Sequence, residues 1–132
     1  MKPIIMTTLH NPPTSHGDCL RASLASLLGV DGVHVPHFME GGDVGWWPKF
    51  QAWCFERGIY PRQLDPSTTL PAGYYLALGV SLSGEPHCVV MQSDLQVHDP
   101  RPNGAGLVAF DKFVVLELTS ADTFFNWRQG CA

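Results

Sequence analysis

Three residues in this chain have the types and the order that acyl transfer requires. Cys19 heads the run "DCLRASLASLLG", His87 sits in "PHCVV", and Asp99 sits in "VHDP". A thiol attacks as its thiolate, so its ordinary pKa near 8.5 must be lowered or a base must take its proton. The first position of a helix offers partial positive charge and unpaired N–H groups. The same N–H groups can hold an oxyanion that forms on a substrate carbonyl. Gly17, two residues earlier, lets a substrate approach the backbone. The competing reading of Cys19 is a small core residue that follows a helix cap. Helix phase puts it beside the Leu20/Leu24 stripe but off its centre.

A base needs a group to orient it, and the two strand-like runs after Gly84 supply a candidate pair. If their hairpin is centred on Ser93, residues 91 and 95 pair. His87 and Asp99 then face each other with Cβ atoms about 4.5–5.5 Å apart. A two-residue turn instead sets Cys88 opposite Asp99. Both registers fit the sequence. His87 also reads as a core histidine, because "CVVMQ" behind it is apolar throughout. His98 alternates with Asp99 and so points to the other face. His10, His16, His34 and His37 lie in loops and read as ordinary surface residues. Zinc is the rival chemistry. His16 and Cys19 have a ligand-like gap, and His87 with Cys88 would complete a set. Adjacent strand residues point apart, which counts against that set, and no metal or cofactor is expected.

The elements that must position these residues can be read from periodicity. Leu20, Leu24, Leu27 and Leu28 form a helical stripe, with Asp18 as the expected N-cap and Gly29 as the stop. A second helix is expected over "WWPKFQAWCFERG", with Pro48 in its first turn and Gly58 at its end. Trp46 falls in its core phase, and Trp47 is either core or groove. Between the helices a glycine-rich loop carries a short helical turn around residues 35–39. From Ile59 the pattern turns to strands: Tyr74–Ser81, buried on both faces, His87–Gln92, Gln96–Pro100 and Phe113–Thr119. The tail adds a short helix or packs across the sheet. The expected class is α+β, with N-terminal helices on an antiparallel β-sheet.

Bulk properties exclude several functions. The chain has 132 residues, enough for one domain with a real core. Its net charge is −4 and it has no run of Lys and Arg, which argues against a nucleic-acid grip. No apolar stretch approaches the roughly 18 residues of a membrane span. The N-terminus lacks the apolar core of a signal peptide, so a cytoplasmic location is expected. Cys19, Cys54, Cys88 and Cys131 form no CxxC pair and are expected as free thiols. Nothing in the sequence specifies an oligomeric state.

The ordered set of Asp18-Cys19 opening a leucine-rich helix, Pro86-His87-Cys88-Val89-Val90, and Val97-His98-Asp99-Pro100 with Gly104 behind resembles the papain-like cysteine peptidases. Within them it is most similar to the peptidases that cleave double-glycine leaders. "WCFERGI" sits where that family's second helix runs into a strand, and the resemblance extends from about Asn11 to Leu107. It implies a minimal papain-like domain over residues 1–132. Cys19 would be the nucleophile, His87 the general base and then acid, and Asp99 the group orienting His87. The substrate would be a peptide, a protein or a small amide, cleaved at a peptide, isopeptide or other amide bond through a thioester. The family normally carries a glutamine before the cysteine as oxyanion donor, and this chain has none there. Asn11 and His16 are the substitutes nearest to hand, with His10 and the Cys19 N–H. Papain-like folds also host deamidase and transferase chemistry, so the bond acted on stays open. The chain is also similar to small stand-alone proteins of phage and bacteria. The missing glutamine supports the alternative of an inactive papain-like binding module, and a zinc-dependent protein is the remaining one.

Overall fold

The computed structural model describes residues 1–8, 16–42, 44–68, 70–102 and 104–132. Helix α1 spans Cys19–Leu28 and ends at Gly29, whose φ of 78° closes the C-terminus. Leu20, Leu24 and Leu28 are buried, as the stripe requires. Asp18 stands at the N-cap position but does not cap, which corrects the expectation. Its buried carboxylate accepts hydrogen bonds from Thr7 N (2.8 Å), Thr7 Oγ1 (2.7 Å) and Thr8 N (2.9 Å). The N-terminal segment therefore takes the acceptor that the helix would have used.

Helix α2 spans Trp46–Glu56 with Pro48 in its first turn. Phe50 and Cys54 are its fully buried residues. The turn expected around residues 35–39 is instead a 3₁₀ turn at Gly32–His34. Pro36 explains the shift, because the residue before a proline is driven to extended backbone and Val35 lies at φ −122°, ψ 129°.

Five strands follow: β1 Ile59–Leu64, β2 Tyr74–Ser81, β3 Pro86–Gln92, β4 Leu95–His98 and β5 Leu107–Leu118. They form one antiparallel sheet in the order β1-β5-β2-β3-β4. Two strand expectations change. β4 stops at His98 rather than Pro100, and β5 starts six residues before Phe113. The early half of β5 is largely exposed and interrupted by register shifts against β2, so it lacks the alternation that marks a strand. The tail forms α3, Ala121–Gly130, capped by the Ser120 hydroxyl, which accepts from Thr123 N at 3.2 Å.

β2 is buried on both faces, as its apolar run implied. Leu76 and Leu78 join Cys88, Val90 and Val114 beneath the helices, while Tyr75 and Ala77 join Val89, Met91 and Phe113 in a second cluster. α1 packs on β2 and β3, and α2 packs on β1. Phe124 of α3 belongs to the first cluster, and Trp127 stands edge-on to Trp53 at 5.3 Å. The mixed α+β class is thus observed.

The buried thiols make a prediction for alkaline stability. Burial pushes the Cys54 thiol from 9.0 up to about 12, against a smaller downward pull from Arg57. Burial also raises Cys88 well above its ordinary value. Below pH 9 these thiols are neutral in folded and unfolded chains alike. Above it only the unfolded chain ionises, so stability falls as pH rises towards the folded values. Each such thiol contributes a slope of about 1.4 kcal/mol per pH unit. Urea titrations between pH 8 and 11 should show this loss. Cys54→Ala should be less stable at pH 8 but lose less between pH 9 and 11; equal slopes would refute the account.

Candidate functional site

The hairpin between β3 and β4 decides whether His87 and Asp99 can meet. Gln92 pairs with Leu95 and Met91 with Gln96, so the connection is a two-residue turn, with Ser93 at φ 53°. This corrects the hairpin centred on Ser93. Continued unbroken, that register would set Cys88 against Asp99. It does not continue, because Val90 pairs with His98 and Val97 has no partner of its own. This β-bulge adds one residue to β4 and reverses which face each later side chain takes. β4 ends at His98, and Asp99 stands just beyond it. His87 Nε2 then donates to Asp99 Oδ1 at 2.7 Å, with the two side chains only 5% and 8% exposed.

Backbone amides complete the cradle of Asp99. Oδ1 also accepts from Arg101 N at 2.9 Å, and Oδ2 accepts from Gly106 N at 2.8 Å. Burial alone would raise this carboxyl. The His87 ring and the two amides outweigh it and hold the carboxyl below its ordinary value. That ionised carboxylate keeps the Nε2 proton on His87 and leaves Nδ1 as the ring nitrogen without a partner among the described residues. The stability it adds is lost as pH falls through the carboxylate range.

Gly104 lies directly against this carboxylate. A Cβ there would stand 2.6 Å from Asp99 Cγ and 2.8 Å from Oδ1. Gly104→Ala should therefore displace Asp99 and turn the His87 ring. A displacement near 1 Å costs a reaction roughly 10²-fold. The alkylation rate of Cys19 reads this effect, and an unchanged rate would show that Asp99 does not orient His87.

Cys19 lies at the first residue of α1, as the sequence predicts. Burial pushes its thiol from 9.0 up to about 11; backbone hydrogen bonds from Cys88, Leu20 and Cys19 itself pull it down, and the charge of Asp18 adds a small rise. The helix start thus acts in the expected direction but does not outweigh desolvation. Asp18 turns to Thr7 and Thr8, and the N–H groups of Cys19 and Leu20 at the start of α1 lie by the sulfur. Beside it, Ser23 Oγ donates to Cys88 O at 3.0 Å and ties α1 to β3.

One cavity of about 350 Å³ holds Cys19, His87, His16 and Gly17 together. Met6, Met39, Trp46 and Leu78 give it apolar walls, and Glu85, Arg101, Asp111 and Lys112 contribute charged groups. His16 is half-buried, and His37 Nε2 donates to its carbonyl at 2.8 Å. His37 is therefore a supporting residue rather than the ordinary surface histidine expected. Asn11 and His10 lie outside the described residues. His98 donates from Nε2 to Ile4 O at 2.7 Å, away from Asp99.

No family model, curated protein or solved structure matches this chain. The site rests on its own geometry. All four cysteines are free thiols. Among the described residues, no three His, Cys, Asp or Glu side chains are grouped to hold a metal ion. Among them also, no helix is long and apolar enough to cross a membrane. The charged residues of the cavity carried no signal in sequence, since Glu85, Arg101 and Lys112 come from separate turns and strands. Trp46 serves twice, as a core residue 7% exposed and as a cavity wall. Trp47 stacks on Phe50 with ring centroids 5.5 Å apart, which resolves it as packing.

Proposed function

We propose that the protein is a cysteine hydrolase that cleaves an amide bond through a thioester, on a minimal papain-like fold. The observation that carries this reading is the Asp99-held His87 ring sharing one cavity with Cys19. The order of the elements supports it: a cysteine opening a helix, a histidine near the start of a strand, and a carboxylate just past the next one.

In the proposed mechanism His87 Nδ1 takes the Cys19 proton as the sulfur attacks the amide carbon. Because burial favours the neutral thiol, proton transfer accompanies attack rather than preceding it. The oxyanion is met by the N–H groups at the start of α1. His87 then protonates the departing amine. It next takes a proton from water, which attacks the thioester carbon; the C–S bond then breaks, the acid product leaves, and His87 returns the proton to Cys19. Asp99 stays ionised and holds the ring. The free thiols support a reducing compartment, and a cytoplasmic location is proposed. A non-catalytic binding domain is the second reading, favoured by the burial of Cys19.

Iodoacetamide labelling at about pH 6.5, read by peptide mass spectrometry, separates the two. An ordinary thiol is about 1% ionised there. Only a base at Cys19 lets it react faster than the more exposed Cys131. If Cys131 outpaces Cys19, the hydrolase assignment fails and the binding domain stands.

A further inference from the structure

The cavity holds two cations, and they are in different states. Arg101 is already paired, with Nη1 3.0 Å from Glu85 Oε2. Among the described residues Lys112 has no carboxylate within ion-pair distance. Its ammonium nevertheless stays at the cavity wall, 5.8 Å from the centroid of the Trp46 ring. β5 is built to hold it there. Lys112 pairs with Leu78 and Phe110 pairs with Gly79, so Asp111 is the extra residue of a bulge. A bulge re-aims side chains, and here Asp111 stands exposed while Lys112 is half-buried. Water screens the exposed carboxylate more than the sheltered ammonium. The Met39 and Leu78 walls are apolar, and among the described lysines and arginines of the cavity Lys112 alone is outside an ion pair.

We infer that Lys112 selects the substrate, and that the bond cleaved belongs to a carboxylate-bearing amide whose anionic group pairs with this ammonium. The inference rests on the cysteine-hydrolase assignment for Cys19 and His87. A neutral or cationic amide would leave Lys112 desolvated and unpaired, so the cavity discriminates by charge as well as by shape.

Two small alkylating agents test this without knowledge of the natural substrate. Iodoacetate and iodoacetamide share carbon skeleton and leaving group and differ in charge. The readout is the iodoacetate-to-iodoacetamide rate ratio at Cys19, divided by the same ratio at Cys131 of the same molecule. Lys112→Met keeps the apolar stem and should lower this normalised ratio roughly three- to tenfold. Lys112→Glu should lower it further, and Lys112→Arg should retain it. In the wild-type protein 0.5 M NaCl should also lower it. Should Lys112→Met fail to fold, Lys112→Gln and the wild-type salt dependence give the same reading. An unchanged ratio with Cys19 still labelled in a His87-dependent way overturns the role of Lys112 and leaves the hydrolase assignment intact. Failure of both reagents to label Cys19 overturns both.

Discussion

Replacing His87 with alanine is expected to slow alkylation of Cys19 at about pH 6.5 by roughly 10²–10⁴-fold, the contribution of a positioned base. The sign of the accompanying pH dependence follows from the burial of Cys19. A thiol pushed up to about 11 is ionised only to about one part in 10⁴ at pH 7. In His87→Ala the rate should therefore climb about tenfold per pH unit from pH 7 towards pH 10. Under the proposed mechanism the wild-type rate should be much flatter there, because His87 would supply the base. Cys131 in the same molecule is the control for reagent and pH. Asp99→Asn should fall between the two proteins, since it keeps the imidazole but loses the charge that orients it. Indistinguishable pH profiles for wild type and His87→Ala would remove His87 from the reaction.

Gly79→Ala is expected to be the most destabilising single methyl addition at the site, costing on the order of 3 kcal/mol. Gly79 pairs with His87 on one side and with Phe110 on the other, where β5 slips register. A Cβ would overlap the Ala109 carbonyl oxygen and stand 2.9 Å from its carbon and 3.1 Å from Phe110 Cα. These are backbone atoms, so no rotamer change can relieve the contact. β5 would have to move away from β2, carrying Lys112 with it. Urea denaturation measures the loss, with the midpoint shifting and the slope unchanged. A cost under 1 kcal/mol would mean that β5 yields freely and that the bulge does not position Lys112.

The local parts of this protein were readable from its residues. Cys19 at the head of α1, the leucines beneath it, Gly29 at its end and Pro48 in the first turn of α2 all depend on neighbours within one or two turns. Helix spacing and backbone preference decide such features locally. β2 was readable to the residue because an apolar run bounded by turn residues needs no knowledge of its partners. Features that depend on partners distant in sequence were not readable. Asp18 has the chemistry of a cap, yet its carboxylate goes to Thr7 and Thr8, and only the path of the N-terminal segment decides that. The turn at Ser93, taken alone, places Asp99 on the wrong face. The unpaired Val97 shifts that register by one residue before His98, and a bulge is a compromise between two strands that neither sequence shows alone. The residue types that can do acyl transfer, and their order, were determined by the sequence. The meeting of His87 with Asp99 was decided by the tertiary structure, because side-chain direction in a sheet reverses with every residue of register.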